Sequence, residues 1–172
     1  LLVNSDNMLA ESVGREVAVA KGMPASFAGA AAAIASTLGA AGVDVTGLAM
    51  QDASGLSDTD LAPARVFADV LSQAAGDGAH GATLRPLLSR LPVAAASGTL
   101  DDRFDRSASQ VGAGWVRAKT GTLSGVNSLA GIVTDVDGRV LVFALLSNGT
   151  DSGATRPALD AMAAALRTCG CR

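Results

Sequence analysis

The chain has 172 residues, enough for one domain of ordinary size, and 49 % of them are apolar, so a packed core is feasible. Charged residues make up only 17 %, and 13 basic against 16 acidic side chains give a net charge of −3. This balance argues against a nucleic-acid-binding surface, which needs clustered Lys and Arg.

Helical periodicity dominates the first half of the chain. A first helix is predicted over Asn7–Ala20, because Leu9, Val13, Val17 and Ala20 recur at helical spacing. Pro63 is suited to open a later helix, since its missing N–H has no helical partner at that position. Further helices are expected over 25–41, from Pro63 to Ala75 and over 83–91, with a turn at 52–55 and a loop over 92–106.

The pattern then changes to that of β-strands. Runs rich in Val, Leu and Ile predict strands at 114–119, 128–135 and 139–147, and Asp137-Gly138 is a two-residue hairpin signal between the last two. A closing helix is expected over 154–168, with these side chains facing inward: Leu159, Met162, Ala163 and Leu166. Helices followed by an antiparallel meander and a helix predict an α+β fold, whose small sheet leaves edges that further strands could cover.

Several kinds of site are excluded by the residues available. A Ser-His-Asp triad needs a histidine, and the only one, His80, lies in a Gly-rich stretch that predicts a solvated loop. No serine has glycine on both sides at the spacing of a nucleophile elbow, and no phosphate-binding glycine pattern follows a strand. Cys169 and Cys171 make a poor zinc site, and whether they form a disulfide stays open. We therefore expect no metal and no cofactor.

Two other features have structural interpretations. The longest uncharged run, 27–43, is mostly Ala and Gly with Ser and Thr, which predicts a buried helix and a turn and not a membrane span. Trp115 is expected to be a core residue of the first strand.

Two short motifs carry the chemical interest of the sequence. Ser5-Asp6-Asn7 stands at the mouth of the first helix, and Lys119-Thr120-Gly121-Thr122 stands at the end of the first predicted strand. Each also has a purely structural interpretation, since a side-chain oxygen can cap a helix and a glycine can bend a strand. Their joint occurrence, in this order and on these elements, is much less expected by chance.

Together with a Ser-x-x-Lys, these two motifs form the signature of penicillin-binding proteins and class A β-lactamases. The sequence resembles one branch of these proteins more closely, peptidase family S13, the class C low-molecular-mass D-alanyl-D-alanine carboxypeptidases and endopeptidases. The resemblance covers nearly the whole chain and is carried by four stretches in the same order: SDNMLAE at 5–11, DASGLS at 52–57, Gly98-Thr99-Leu100 with Arg103, and KTGTLSGV at 119–126.

The resemblance implies catalytic roles for three residues. Ser5 would pass a proton to the leaving D-alanine nitrogen. Asn7 would hold the substrate's peptide group, because its amide can both donate and accept hydrogen bonds. Lys119 would supply positive charge toward the substrate's carboxylate. Asp6 is expected to be structural, as the helix cap.

The resemblance also implies a substrate-binding strand. The hydroxyls of Thr120 and Thr122 would bind the terminal carboxylate, and the backbone N–H of Thr122 would be one of two oxyanion donors. Gly121 would let the strand approach the substrate without a Cβ. The implied fold is the C-terminal portion of the transpeptidase domain shared by penicillin-binding proteins and serine β-lactamases.

A Ser-x-x-Lys is absent from these 172 residues. The only lysines are Lys21 and Lys119, and the residues three positions before them are Ala18 and Val116. Because Leu1 opens an apolar run, we expect the chain to begin inside a longer protein, and the resemblance implies that it is the C-terminal part of one penicillin-binding domain. Its N-terminal half, with the nucleophile and any inserted domains, would then be the required partner.

The leading hypothesis is a serine-type D-Ala-D-Ala carboxypeptidase or endopeptidase that acts on peptidoglycan stem peptides outside the cytoplasmic membrane and binds β-lactam antibiotics. A class A β-lactamase uses a glutamate between the two motifs for deacylation, and the only glutamates here are Glu11 and Glu16. Peptidase activity is therefore favoured over a β-lactamase-related enzyme. The competing hypothesis is an inactive fragment or a peptidoglycan-binding module.

Overall fold

A computed structural model of the chain describes residues 1–169, which form two compact units. The first unit contains Leu1 and residues 6–69, and the second contains residues 2–5 and the chain from Val70 onward. Cys169 is disulfide-bonded. Cys171 lies outside the described residues, so the pairing of the two cysteines lies outside them as well.

The first unit is built on two helices, α1 (Asn7–Ala20) and α2 (Phe27–Ala40). Both are capped at their N-termini: Asp6, as predicted, and Ser26 accept hydrogen bonds from the backbone N–H groups of Leu9 and Gly29 at 2.9 and 3.0 Å. A third helix, α3 (Ala64–Ala75), begins in this unit and ends in the second.

Small residues bring α1 and α2 together. The buried positions of α1 are Glu11, Gly14 and Ala18, and a Cβ on Gly14 would lie 3.2 Å from the Cβ of Ala30 on α2. Leu9 and Val13 are 44 % and 49 % exposed, so the larger apolar side chains of α1 do not mark its buried face in this unit. Close helix contact needs small side chains, and this requirement determines which face of α1 is buried here.

The second unit contains an antiparallel sheet in the order β1-β2-β3, formed by β1 (Val116–Leu123), β2 (Val126–Thr134) and β3 (Val140–Asn148). Two helices belong to it, α4 (Gly81–Ser89) and α5 (Ser152–Ala165). Short 3₁₀ turns occupy Gly98–Leu100 and Gln110–Gly112.

The sheet has an apolar cluster on each face. On one face Leu129, Val133 and Phe143 pack with Leu159 and Ala163 of α5. On the other face the cluster consists of Leu71, Ala74, Leu88, Leu91 and Ile132. The sheet is thus covered on both sides within this unit, and β1 and β3 are its two outer strands.

The α+β fold is confirmed, and three details of the prediction are wrong. β1 continues through Gly121 to Leu123, because the true turn is Ser124-Gly125, where Gly125 has φ +72°. Met162 is 55 % exposed and therefore does not face inward. Trp115 is 48 % exposed and lies under the guanidinium of Arg167, at 3.9 Å from its ring centre.

The position of His80 in a solvated loop is as predicted. His80 is exposed, directly before α4, and makes no side-chain capping hydrogen bond. Among residues 1–169, no helix is both long enough and apolar enough to cross a membrane.

Candidate active site

The two sequence motifs contact one another in the second unit through Ser5 and Lys119. The Lys119 ammonium donates hydrogen bonds to the Ser5 hydroxyl and to the Thr120 carbonyl, both at 2.6 Å. These residues are 114 positions apart, so tertiary folding alone brings them together. Burial lowers the pKa of Lys119 from its ordinary value of 10.5, because desolvation disfavours the charged ammonium.

The backbone at Ser5 is unusual. Its φ is +53°, in the left-handed region that residues with a Cβ rarely adopt. Such a conformation costs about 1–3 kcal/mol and persists only where surrounding contacts impose it. The hydrogen bond from Lys119 is one of those contacts, so Ser5 is held in place at a cost in stability.

The outer edge of β1 is partly covered. Residues 92–94 pair with its first half, through hydrogen bonds from Ala94 N–H to the Val116 carbonyl and from Ala118 N–H to the Pro92 carbonyl, both at 3.0 Å. From Lys119 onward, β1 has no strand partner on this side among residues 1–169. An open edge thus begins at the lysine of the Lys-Thr-Gly-Thr motif.

Strand alternation determines which groups face this open edge. Ala118 directs its N–H outward, toward Pro92, and every second residue of a strand shares that direction. The N–H groups of Thr120 and Thr122 therefore also point outward. The Thr122 side chain is exposed, so this residue presents both a backbone donor and a hydroxyl.

Gly121 has a packing reason inside the strand. A Cβ there would lie 2.4 Å from the Ser128 hydroxyl oxygen on the paired strand β2. The alternative interpretation, a strand that ends with a bend at this glycine, is wrong, because Gly121 continues the ladder opposite Ser128. The missing Cβ of Gly121 leaves room for the neighbouring Ser128 hydroxyl.

Gly98 and Thr99 connect the two motifs. The Thr120 hydroxyl donates to the Thr99 hydroxyl at 2.8 Å, and the Thr99 N–H donates to the Val3 carbonyl at 3.2 Å. Gly98 has φ +59°, and a Cβ there would lie 2.3 Å from the same carbonyl oxygen. The stretch that the sequence singled out without a role thus contacts both β1 and the segment that leads to Ser5.

Arg103, from the same stretch, has a different environment. Its guanidinium donates to both carboxylate oxygens of Asp160 on α5, at 2.6 and 3.2 Å. Burial raises the pKa of Asp160, although Arg103 opposes the shift. This pair lines a polar cavity of about 310 Å³ to which Ser5, Lys119 and Thr122 contribute nothing. The pair fastens the 98–106 segment to α5.

In the first unit, the Ser-Asp-Asn motif opens α1. Asp6 caps the helix, as predicted, and Asn7 is its first residue. One turn later, the buried carboxylate of Glu11 accepts the backbone N–H groups of Ala53 and Ser54 at 3.0 and 2.8 Å. This contact joins the SDNMLAE and DASGLS stretches, so both stretches have a structural role in the first unit.

The DASGLS stretch forms the predicted turn. Asp52 accepts hydrogen bonds from the N–H groups of Gly55 and Ser57 at 2.6 and 2.8 Å, and Gly55 has φ +79°.

Among residues 1–169, no group of three or more His, Cys, Asp or Glu side chains is placed to hold a metal ion.

Sequence reasoning missed three polar residues. Thr99 and Glu11 lie inside stretches that the family resemblance marked, so that resemblance was the available signal. No sequence signal marked Asn127. This residue pairs with Thr122 across the β1–β2 ladder and is 1 % exposed, and its side-chain amide has no hydrogen-bond partner among the described residues.

Comparison with known proteins identifies the family of this chain. Residues 1–169 match the family described as D-Ala-D-Ala carboxypeptidase 3 (S13). The chain is 50 % identical to carboxypeptidase DacB of Mycolicibacterium smegmatis, over 99 % of this chain and 37 % of that protein. It is 38 % identical to the D-alanyl-D-alanine carboxypeptidase of an Actinomadura strain, over 92 % of this chain and 28 % of that protein.

Solved structures share the fold. Penicillin binding protein 4 (dacB) from Haemophilus influenzae, in complex with a novel β-lactam, superposes with a TM-score of 0.77 at 30 % identity, over 94 % of this chain and 38 % of that one. The chain spans between 28 % and 37 % of the length of the two curated relatives compared above. The match over 1–169, together with these relatives, establishes that the chain belongs to peptidase family S13, the D-Ala-D-Ala carboxypeptidases.

Proposed function

We propose that the longer protein containing this chain is a serine-type D-Ala-D-Ala carboxypeptidase or endopeptidase. It would cleave peptidoglycan stem peptides through an acyl-enzyme and be inhibited by β-lactams. The observation that carries the proposal is the 2.6 Å contact between the Lys119 ammonium and the Ser5 hydroxyl, beside the open edge of β1. A cation, a hydroxyl and free backbone donors converge there, as peptide-bond cleavage by acyl transfer requires.

The open edge suits a peptide substrate. The substrate's C-terminal residues would lie along β1 from Lys119 to Leu123, where the outward N–H groups are available for hydrogen bonds. The charge of Lys119 and the hydroxyls of Thr120 and Thr122 would hold the terminal carboxylate. The terminal carboxylate belongs to the leaving D-alanine, which stays attached until the peptide bond breaks. Contacts to this carboxylate would therefore orient the scissile bond.

The proton steps would run through Ser5. A serine nucleophile on the N-terminal half would pass its proton to the lysine of the Ser-x-x-Lys and attack the carbonyl of the penultimate D-alanine, and the Thr122 N–H would stabilise the oxyanion that forms. Ser5 would deliver a proton to the departing D-alanine nitrogen as the peptide C–N bond breaks, and it would regain a proton from that lysine, so that the leaving group departs as a neutral amine. Lys119 keeps the Ser5 hydroxyl oriented, and Asn7 would hold the substrate's peptide group.

Two features favour a peptidase over a β-lactamase. No glutamate lies between Glu16 and the Lys-Thr-Gly-Thr motif, so the deacylating residue of class A β-lactamases has no counterpart there. The relatives named as carboxypeptidases cover nearly all of this chain. A slowly hydrolysed acyl-enzyme with β-lactams is therefore expected.

Labelling with a fluorescent penicillin tests the proposal. The full-length protein should form a covalent adduct that survives denaturing electrophoresis, and so should this chain when it is co-expressed with its N-terminal half. The isolated 172 residues should not label, because they contain no Ser-x-x-Lys. Labelling of the isolated chain would overturn the assignment of the nucleophile to the N-terminal half. A full-length protein that never labels would favour the inactive or peptidoglycan-binding alternative.

Location follows from the substrate. Peptidoglycan lies outside the cytoplasmic membrane, so we place the active enzyme there, in the periplasm or the cell wall. Fractionation of cells followed by penicillin labelling measures this directly. Activity confined to the cytoplasmic fraction would contradict it.

A further inference from the structure

Thr99 has two contacts that the proposed chemistry does not use. Its side-chain hydroxyl accepts a hydrogen bond from the Thr120 hydroxyl at 2.8 Å, and its backbone N–H donates to the Val3 carbonyl at 3.2 Å. The first contact reaches the proposed carboxylate clamp on β1. The second reaches the segment that ends at Ser5. Both contacts lie within the second unit.

We propose that Thr99 is a positioning residue for the carboxylate clamp and acts through the Thr120 hydroxyl. This inference rests on the proposed function, because it gives Thr120 a substrate carboxylate to bind. A hydroxyl has one proton to donate and lone pairs to accept. In the structure, the Thr120 hydroxyl donates a hydrogen bond to the Thr99 hydroxyl. When a carboxylate binds, the Thr120 hydroxyl donates its hydrogen bond to the carboxylate and accepts one from the Thr99 hydroxyl, with no movement of heavy atoms.

This reversal has a specific consequence for binding. The Thr120 hydroxyl keeps a hydrogen-bond partner in both the free and the bound enzyme, so its rotamer is fixed before the substrate arrives. Binding then pays less for ordering that side chain. Without the Thr99 hydroxyl, Thr120 is free to rotate, and the carboxylate must select one of its rotamers.

The backbone contact of Thr99 is separable from the hydroxyl contact. The Thr99 N–H and the positive φ of Gly98 hold the Val3 carbonyl, two residues before the strained Ser5. A side-chain substitution at Thr99 leaves this N–H in place. The hydroxyl can therefore be removed without cutting the link to the Ser5 segment.

The experiment uses the full-length enzyme with Thr99→Val, Thr99→Ser, Thr120→Val and the Thr99→Val/Thr120→Val double variant. Valine retains the shape of threonine without its hydroxyl, and serine retains the hydroxyl. Thr134→Val, on β2, is the matched control in the same sheet. The constants kcat and KM are measured for a peptide ending in D-Ala-D-Ala and for its C-terminal amide. The melting temperature of each variant is also measured, and Thr99→Ala is used in place of Thr99→Val if Thr99→Val does not fold.

Thr99→Val should raise KM for the free-carboxylate peptide about two- to tenfold, the range that loss of one hydrogen bond gives, with kcat unchanged. The preference for the free carboxylate over the amide should shrink by the same factor. Thr99→Ser and Thr134→Val should resemble the wild type. In the Thr120→Val background, Thr99→Val should have no further effect.

Two outcomes overturn the inference while the proposed function stands. Either Thr120→Val weakens carboxylate binding and Thr99→Val does not, or the two effects add in the double variant. A change in melting temperature alone would likewise show a merely structural role. A wild-type enzyme without peptidase activity would overturn the proposed function, and this inference with it.

Discussion

Replacing Lys119 by methionine should separate catalysis from folding. Methionine has nearly the length of the lysine stem, so the buried methylene contacts survive while the ammonium is lost. In the structure that ammonium makes two hydrogen bonds of 2.6 Å, one to the Ser5 hydroxyl and one to the Thr120 carbonyl. The change thus removes the charge proposed to attract the substrate and the donor that orients Ser5.

The expected loss of activity follows from these contacts. A hydrogen bond to a charged group is worth about 1.5–3 kcal/mol. Losing one such interaction with the substrate carboxylate and one with Ser5 therefore removes about 3–6 kcal/mol of transition-state stabilisation. At 1.36 kcal/mol for each factor of ten, acylation should slow by roughly 10²- to 10⁴-fold.

Stability should change much less. The desolvation that lowers the pKa of Lys119 is a cost of burying its charge, and the substitution removes that cost together with the two hydrogen bonds. The two effects oppose each other, so we expect the free energy of unfolding to change by no more than about 1 kcal/mol.

The assay is the second-order rate constant for fluorescent penicillin labelling of the full-length protein, with urea denaturation of the same samples. Lys21→Met is the matched control, because Lys21 is the only other lysine of these 172 residues and lies exposed at the end of α1. It should label at the wild-type rate. Normal labelling of Lys119→Met would refute the assignment of charge and proton relay to the Lys119–Ser5 pair.

Three further results are expected. Glu11→Ala should destabilise the protein by about 2–5 kcal/mol in urea denaturation, because two partly buried N–H groups lose a charged acceptor. Glu11→Gln keeps an acceptor and should cost under about 1.5 kcal/mol, and equal costs for the two variants would contradict this reasoning. Burial lowers the pKa of Lys119 below 10.5, so between that lowered pKa and 10.5 the unfolded chain binds more protons than the folded one. Across this pH window the free energy of unfolding should rise with pH, while the KM for the substrate should also rise because the ammonium loses its charge. A rise of KM at alkaline pH that persists in Lys119→Met would show that another group causes it. Gly98→Ala should lower the melting temperature and slow acylation, because Gly98 has φ +59° and the new Cβ would lie 2.3 Å from the Val3 carbonyl oxygen. If both the melting temperature and the acylation rate match the wild type, the segment around Gly98 does not hold Ser5 in place.

Local chemistry made much of the fold predictable. The boundaries of α1 follow from its apolar period and from the Asp6 cap, and the structure reproduces them over Asn7–Ala20. The β2–β3 hairpin follows from Asp137-Gly138, where Gly138 has φ +84°. These signals concern residues close together in sequence, so one chain without tertiary information contains them.

Side-chain burial was less predictable for a physical reason. Met162 has the spacing of an inward-facing residue and yet is 55 % exposed, while Glu11, a charged residue, is 7 % exposed. Which face of a helix is covered depends on what packs against it. On α1, Gly14 and Ala18 provide the flat surface that a close neighbour needs, and hydrophobicity alone does not report this.

For the candidate site, the sequence by itself determined the residue types: a Ser-Asp-Asn and a Lys-Thr-Gly-Thr, with no Ser-x-x-Lys in the chain. Tertiary structure alone decided that Lys119 lies 2.6 Å from Ser5 and that Thr99 joins Thr120 to the segment before Ser5. It also decided that, among the described residues, no strand covers the outer edge of β1 beyond Ala118. These contacts span 114 and 21 positions in the sequence, and they form only when burial of the sheet's two faces fixes where each strand and loop must lie.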